Sequence, residues 1–132
     1  MDKSQTQFAF SRALIFQQTH LWLSALWNVW GAWMISHGQT PLGPTASYST
    51  AAILIAFAAA LCVAIYYQRW IYIGLSAVIV VAAASAVFNG FTLPAANWPS
   101  EFWRAAGITL NLLGVGAGVW AIFREFQNTS SN

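Results

Sequence analysis

The segment AAILIAFAAA, residues 51–60, decides the fold class of this chain. Its ten residues are all apolar and six of them are alanine, so no polar or charged side chain interrupts the run. A membrane-spanning β-strand would alternate apolar and polar residues, whereas a continuous alanine-rich run favours a helix. The segment therefore predicts part of a membrane-spanning α-helix.

Three further apolar stretches accompany this segment. A helix needs about 20 apolar residues to cross a bilayer, and loops with Gly and Pro or short polar breaks separate stretches of about this length. The sequence therefore predicts an all-α integral membrane protein, a four-transmembrane-helix bundle that forms one membrane domain. The predicted spans cover about residues 13–36, 50–67, 71–88 and 102–123, and residues 124–132 form a polar tail.

The scarcity of charge supports a membrane protein and excludes several other classes. Only 6% of the 132 residues are charged and 58% are hydrophobic, whereas about 25% of the residues of a soluble domain are charged. So few charges cannot cover a soluble surface, which excludes an ordinary cytosolic enzyme and a disordered tail. The chain also lacks a basic patch for nucleic acid, so the lipid bilayer is its predicted surrounding.

The basic residues predict the orientation of the bundle. With the N-terminus in the cytoplasm, four of the five basic residues lie inside and one lies outside. Because cytoplasmic loops are enriched in Lys and Arg, we expect both termini to be cytoplasmic. This bias and the lack of a cleavage site after the first span favour a multi-pass protein of the bacterial inner membrane. The inside group is Lys3, Arg12, Arg69 and Arg124, and the outside residue is Arg104.

Polar side chains of the first predicted span form one stripe. They recur every three or four residues and therefore fall on one face of the helix. A polar group in hydrocarbon is costly unless it finds a partner, which makes each one a candidate site residue. We predict that they line a ligand site or pathway together with Asn111 of the fourth span; alternatively, they only join helices by hydrogen bonds. The polar members of the stripe are Gln17, His20, Ser24 and Asn28, and Gly31 and Ile35 continue the same face.

A matching stripe of small and polar residues is predicted on the fourth span. Gly114 and Gly118 are four residues apart, a spacing that lets two helix backbones approach closely in lipid. Asn28 and Asn111 each lie about 12 Å below the same predicted membrane surface. We therefore predict that spans one and four pack together, that these two amides share hydrogen bonds, and that Ser85 and Asn89 of the third span extend the layer. The predicted packing residues are Gly31, Gly107, Gly114 and Gly118.

Few other residues suggest chemistry. Glu101 and Arg104 stand three residues apart at the start of the fourth span, which predicts an interfacial ion pair that anchors the helix. No metal site is predicted, because His20 and the single cysteine, Cys62, are too few ligands. Haem with two axial histidines would need His20 of a second chain, since His37 lies about 25 Å away along the same helix.

Three functions remain compatible with the sequence, and none is enzymatic, because no nucleophile with a base and an orienting group can be assembled. The first is a non-enzymatic subunit of a membrane complex, in which other chains cover a face of Trp22, Trp30 and Trp33. The second is a small homo-oligomeric channel or carrier for a neutral solute. The third is a binding module for a quinone, a lipid or haem. We expect a homo- or hetero-oligomer with other membrane chains, whereas the sequence leaves any cofactor unknown.

Overall fold

A computed structural model of the chain describes the backbone of residues 3–130 and the side chains of residues 12–128. Within these ranges the chain forms four α-helices, one 3-10 turn and no β-strand, which confirms the prediction of an all-α chain. The side chain of Lys3, used for the predicted orientation, and residues 131–132 of the predicted tail lie outside the described residues. The elements are α1 (Lys3–Ser36), α2 (Tyr48–Tyr67), α3 (Arg69–Thr92), the turn Ala95–Asn97 and α4 (Glu101–Ser130).

Three of the four helices are long and apolar enough to cross a membrane, namely α2, α3 and α4 as far as Asn128. The chain is therefore a helical membrane protein. The longest helix is α1, with 34 residues, but it does not belong to this group. Glutamine, histidine, serine and asparagine side chains interrupt its apolar run.

The helices extend beyond the predicted spans at several ends. α4 continues to its last described residue, so residues 124–130 of the predicted polar tail are helical. The reason is that Glu125 is buried and pairs with Arg69, which holds this end of α4 against α3. Between α2 and α3 only Gln68 leaves the helical conformation, where the predicted spans left three residues. Its N–H donates to Ala64 O and its carbonyl accepts from Tyr72 N, so both of its backbone groups are hydrogen-bonded.

The four helices run alternately up and down around a common interior. α1 contacts α2 and α4, and α3 contacts the same two helices; α3 and α4 pack most extensively, and α2 and α3 least. One end of the bundle, here called the proline end, carries the connections 37–47 and 93–100, which contain all four prolines. The opposite end, where α2 passes into α3, is called the Gln68 end.

The closely packed core occupies the half of the bundle next to the Gln68 end. Alanines make up much of it, and Leu21, Leu61 and Tyr72 are its largest fully buried members. Small residues let helices approach closely in a bilayer, where van der Waals packing rather than the hydrophobic effect holds them together. Toward the proline end the core stops near Ile79, and a cavity takes its place.

The connection between α1 and α2 folds back over the proline end. Gly38 adopts a φ of 69°, which suits glycine, and reverses the chain directly after α1. Leu42 is buried, and Ala46 lies so close to Gly31 that a Cβ at Gly31 would overlap it. Ser47 then caps α2 with its side chain. This connection therefore forms a ceiling over the interior.

Candidate ligand-binding site

The polar stripe of α1 faces the interior of the bundle. Gln17, His20 and Ser24 are buried, and Asn28 is half-buried. The side chains of the stripe are not linked to one another by a continuous chain of hydrogen bonds, and their surroundings change at His20. On the Gln68 side of His20 the stripe is sealed in the core, and toward the proline end it lines the cavity.

Gln17 joins α1 to α3 in the sealed part. The hydroxyl of Tyr72 donates to Gln17 Oε1 at 2.6 Å, and Gln17 Nε2 donates to Ser76 Oγ at 2.9 Å. All three side chains are 0% exposed, so each hydrogen bond satisfies polar groups that would be costly to bury alone. These three residues, here called the Gln17 cluster, close the interior on the Gln68 side.

His20 joins α1 to α4 at the boundary between the two parts. Its Nδ1 lies 3.0 Å from Leu110 O and 3.4 Å from Ser24 Oγ. Because a carbonyl only accepts, Nδ1 carries the proton and donates to Leu110 O. A Cβ added at Gly114 would lie almost equally close to Nε2, Cε1 and Cδ2, so the backbone of Gly114 supports the face of the ring. Nε2 has no hydrogen-bond partner among the described residues.

A cavity of about 410 Å³ occupies the interior toward the proline end. Its volume falls within the range of about 300–1,000 Å³ that is usual for small-molecule sites. All four helices and residues 43–46 of the ceiling line it, and four stripe residues of the sequence prediction lie in its wall: His20, Ser24, Asn28 and Asn111. Most of the remaining wall is apolar, including Leu54, Phe57, Ile79 and Ile108.

The amides of Asn28 and Asn111 face the same cavity but share no hydrogen bond, so that prediction is wrong. Each Nδ2 donates at 2.8 Å to the carbonyl four residues earlier in its own helix, Ser24 O and Gly107 O respectively. An asparagine in a helix can reach that carbonyl, so each Nδ2 finds an acceptor without a second helix. Asn28 Oδ1 also accepts a long hydrogen bond of 3.4 Å from Ser47 N, which ties α1 to the ceiling.

Two amides of the wall keep hydrogen-bonding groups free. The side chain of Asn89 is half-buried and bonds to no described residue. Asn111 uses one N–H, and its Oδ1 has no partner among the same residues. An amide offers both donors and an acceptor. The cavity therefore presents unpaired polar groups within a mainly apolar wall.

The four predicted packing glycines have different neighbours. Gly107 and Gly114 face α1, and Trp27 comes within 3.3 Å of the position of a Cβ at Gly107. Gly118 instead faces α3, where a Cβ would overlap a valine, and Gly31 faces the ceiling. Only Gly107 and Gly114 therefore bring α1 close to α4.

Arg104 closes one side of the proline end. Its Nη1 lies 3.3 Å from Glu101 Oε1, but the shorter bond, 2.6 Å, runs from Nε to Gly90 O. Nη2 donates to Phe91 O at 3.3 Å, so Arg104 satisfies carbonyls in the last turn of α3. Glu101 is exposed, and an ion pair of this kind adds little stability. The main role of Arg104 is therefore to join α4 to the end of α3.

Sequence reasoning missed an ion pair at the Gln68 end. Arg69 Nε lies 3.0 Å from Glu125 Oε2, and Arg69 Nη2 donates to the carbonyl of Glu125. The signal was present, because the two charges are opposite in sign and lie at the ends of neighbouring antiparallel spans. The ion pair was not predicted, because the predicted spans place Arg69 in a loop and Glu125 in a tail.

Among the described residues, no group of three or more His, Cys, Asp and Glu side chains is placed to hold a metal ion. Comparison with protein-family models, with curated proteins and with solved structures finds no match. What the chain does is therefore inferred from its cavity.

Proposed function

We propose that this chain is a membrane-embedded binding protein for a small, uncharged amphipathic molecule. The observation that carries this proposal is the cavity of about 410 Å³, whose apolar wall holds unpaired amide groups of Asn89 and Asn111. Such groups are costly in an apolar surrounding unless a ligand or water bonds to them. A molecule with a carbonyl or hydroxyl head and an apolar body matches both parts of this wall.

The charges around the cavity favour an uncharged ligand. Arg104 is the one arginine in the wall, and its guanidinium already bonds to Gly90, Phe91 and Glu101. No carboxylate is among the lining residues, so a charged head would lose its hydration without a free counter-charge. Of the ligands expected from the sequence, a quinone or an uncharged lipid fits this wall. Haem fits it less well, because it carries charged propionates.

We also propose that α1 crosses the membrane, which makes the bundle one of four spans. Its 34 residues rise about 51 Å, more than the roughly 30 Å of a hydrocarbon core. Its exposed surface includes Ile15, Leu23, Leu26 and Val29, whereas its polar stripe lies inside the bundle. The lower hydropathy of α1 thus reflects polar groups that lipid does not contact.

The proposed orientation places the Gln68 end and both termini in the cytoplasm of a bacterial inner membrane. The Gln68 end carries Arg12, Arg69 and Arg124, whereas the proline end carries Arg104. Because cytoplasmic segments are enriched in Lys and Arg, the end with more arginines is placed in the cytoplasm. The variants Gln39→Cys and Gln68→Cys, each made in a chain that also carries Cys62→Ala, test this orientation in intact spheroplasts. A membrane-impermeant maleimide should label the first site only. Labelling of the second site alone would show that the orientation is the opposite of the proposed one.

Photoaffinity labelling tests the proposed binding function. The probe is a long-chain alcohol that carries a diazirine, added to the protein in phosphatidylcholine nanodiscs, with labelled residues mapped by mass spectrometry. We expect saturable labelling of wall residues such as Phe57 and Ile108, competed by unlabelled alcohol. The matching diazirine alkane, which lacks the hydroxyl, should label them without saturation because it cannot bond to the amides.

Variants of the wall complete this test. Replacing Asn89 and Asn111 by leucine should abolish saturable labelling, because the apolar wall is retained and the free amides are lost. Thr109→Val is the matched control, since Thr109 is exposed and its hydroxyl bonds to Ala105 O in its own helix at 2.9 Å. Saturable labelling that survives in the double variant, or is lacking in the natural chain, contradicts the proposal.

A second proposal is that the chain is a subunit of a membrane complex, and Trp22 favours it. Trp22, Trp30 and Trp33 are 50%, 56% and 41% exposed. Trp30 and Trp33 lie toward the proline end, where tryptophan fits a membrane interface. Trp22 lies near the middle of the apolar stretch 13–36, and its indole N–H bonds to no described residue. At that depth a tryptophan exposed on the surface of the bundle meets hydrocarbon, which offers its N–H no acceptor. The position of Trp22 therefore suits contact with another membrane chain, of the same kind or a different one.

Purification in a mild detergent tests the subunit proposal. A stable complex with other polypeptides, or a homo-oligomer, is the expected result, and Trp22→Leu should weaken it more than Trp30→Leu does. A natural chain that purifies as a monomer without partners contradicts the proposal. The channel or carrier expected as an alternative has less support, because the Gln17 cluster closes the interior on the Gln68 side.

A further inference from the structure

The cavity has two possible routes of access, and the route through the proline end is partly covered. The ceiling folds back over this end, with Leu42 only 6% exposed. Trp98, from the connection between α3 and α4, is 8% exposed and lies beneath Arg104, whose guanidinium carbon is 5.6 Å from the ring centroid. Trp98 also lines the cavity, so the connection between α3 and α4 places a large buried side chain there, whereas Pro44 and Thr45 of the ceiling line the cavity and are exposed.

The other route lies between α2 and α3. These two helices pack less extensively than any other neighbouring pair. Ile53 of α2 and Val78 of α3 line the cavity and are also 56% and 53% exposed. A residue that both lines a cavity and contacts the surroundings marks an opening. The other exposed lining residues of α3 are Ala82 and Ser85, and the Ser85 hydroxyl is already bonded to Val81 O in its own helix. The opening is therefore mainly apolar and suits lipid better than water.

We infer that the ligand enters the cavity sideways from the membrane, through the gap between α2 and α3, and is a chain-bearing molecule with an uncharged polar head. This inference rests on the proposed binding function and adds the ligand class and its route. The head reaches the unpaired amides of Asn89 and Asn111, while the apolar chain lies between Ile53 and Val78. A short polar solute would gain nothing from that apolar gap.

The length of the site supports this placement of the ligand. The wall continues from Ile53 and Val78 through Phe57 and Ile79 to His20, where the Gln17 cluster ends the interior. Its apolar members come from all four helices, whereas both free amides belong to α3 and α4. An amphipathic molecule therefore matches the wall with its head toward α3 and α4.

Narrowing the gap tests the route. The variants Ile53→Trp and Val78→Trp enlarge exposed side chains and should leave the fold intact, which circular dichroism and gel filtration verify. With the diazirine alcohol in nanodiscs, we expect each to slow the initial rate of saturable labelling several-fold. Ile55→Trp and Val81→Trp are the matched controls, because Ile55 and Val81 are exposed on the same helices but do not line the cavity. Both control variants should be labelled at the same initial rate as the natural chain.

A ceiling variant separates the two routes. Thr40 is an exposed residue of the ceiling that does not line the cavity, so Thr40→Trp adds bulk at the proline end and should leave the labelling rate unchanged. If Thr40→Trp slows labelling while Ile53→Trp and Val78→Trp do not, the lateral route is overturned and the binding function stands. If the natural chain shows no saturable labelling at all, the binding function itself is overturned.

Discussion

The backbone of Gly114 lies against the face of the His20 ring, and this contact fixes the position of the imidazole between α1 and α4. The ring keeps Nδ1 within 3.0 Å of Leu110 O and lines the cavity where the sealed core begins. A glycine at this position thus serves the candidate site as well as helix packing.

We predict that Gly114→Ala destabilises the bundle. The new Cβ would overlap the His20 ring, which must turn and lose its bond to Leu110 O. Overpacking of this kind costs about 1–3 kcal/mol, which a thermal unfolding curve in detergent can measure. Gly116→Ala is the control, because nothing lies within 4 Å of a Cβ there. Equal stability of the two variants would show that the ring is not held by this contact.

We predict that Gln17→Leu destabilises the sealed half. It removes the acceptor of the Tyr72 hydroxyl and the donor to Ser76 Oγ within the buried core, and loss of such a buried partner costs about 1–3 kcal/mol. Adding Tyr72→Phe and Ser76→Ala to Gln17→Leu should recover part of that loss, because no polar group is then left unpaired. Denaturant unfolding checks the series. Thr19→Val, an exposed change in α1, should have little effect, and a triple variant less stable than Gln17→Leu would contradict the explanation.

We predict that Arg69→Gln frees the last turns of α4. The change removes the ion pair with Glu125 and the bond to its carbonyl, and leaves a buried carboxylate with less compensation. Hydrogen exchange of residues 123–128 should rise in detergent. Arg124→Gln is the control, because it removes a neighbouring charge that lies outside the pair. Unchanged exchange in Arg69→Gln would mean that other contacts hold this end.

We predict that Asn28→Ala loosens the ceiling. Asn28 Oδ1 accepts from Ser47 N, which anchors the folded-back connection to α1. Limited proteolysis should cut residues 38–46 faster in this variant. Ser85→Ala serves for comparison, because Ser85 also lines the cavity but bonds to Val81 O in its own helix. Equal cleavage of the two variants argues against this anchor.

The sequence predicted the helices and the inward stripe well, because apolar length and a spacing of three or four residues are local properties. It failed at Asn28 and Asn111, since depth alone does not say which acceptor an amide will use. The carbonyl four residues earlier is always nearby. The ion pair of Arg69 and Glu125 depends on how far α4 extends and how α3 lies beside it. Such relationships between elements cannot be read from one helix at a time.

The position of the polar stripe has a consequence for how the chain is made. A ribosome completes α1 long before α4, yet Leu110 and Gly114 of α4 supply the contacts of His20. If α1 spans the membrane as proposed, the His20 imidazole faces hydrocarbon or the insertion machinery until α4 follows, where it is costly. On that proposal, stable insertion of the first helix awaits synthesis of the last, and truncated chains that lack α4 should be held back or degraded.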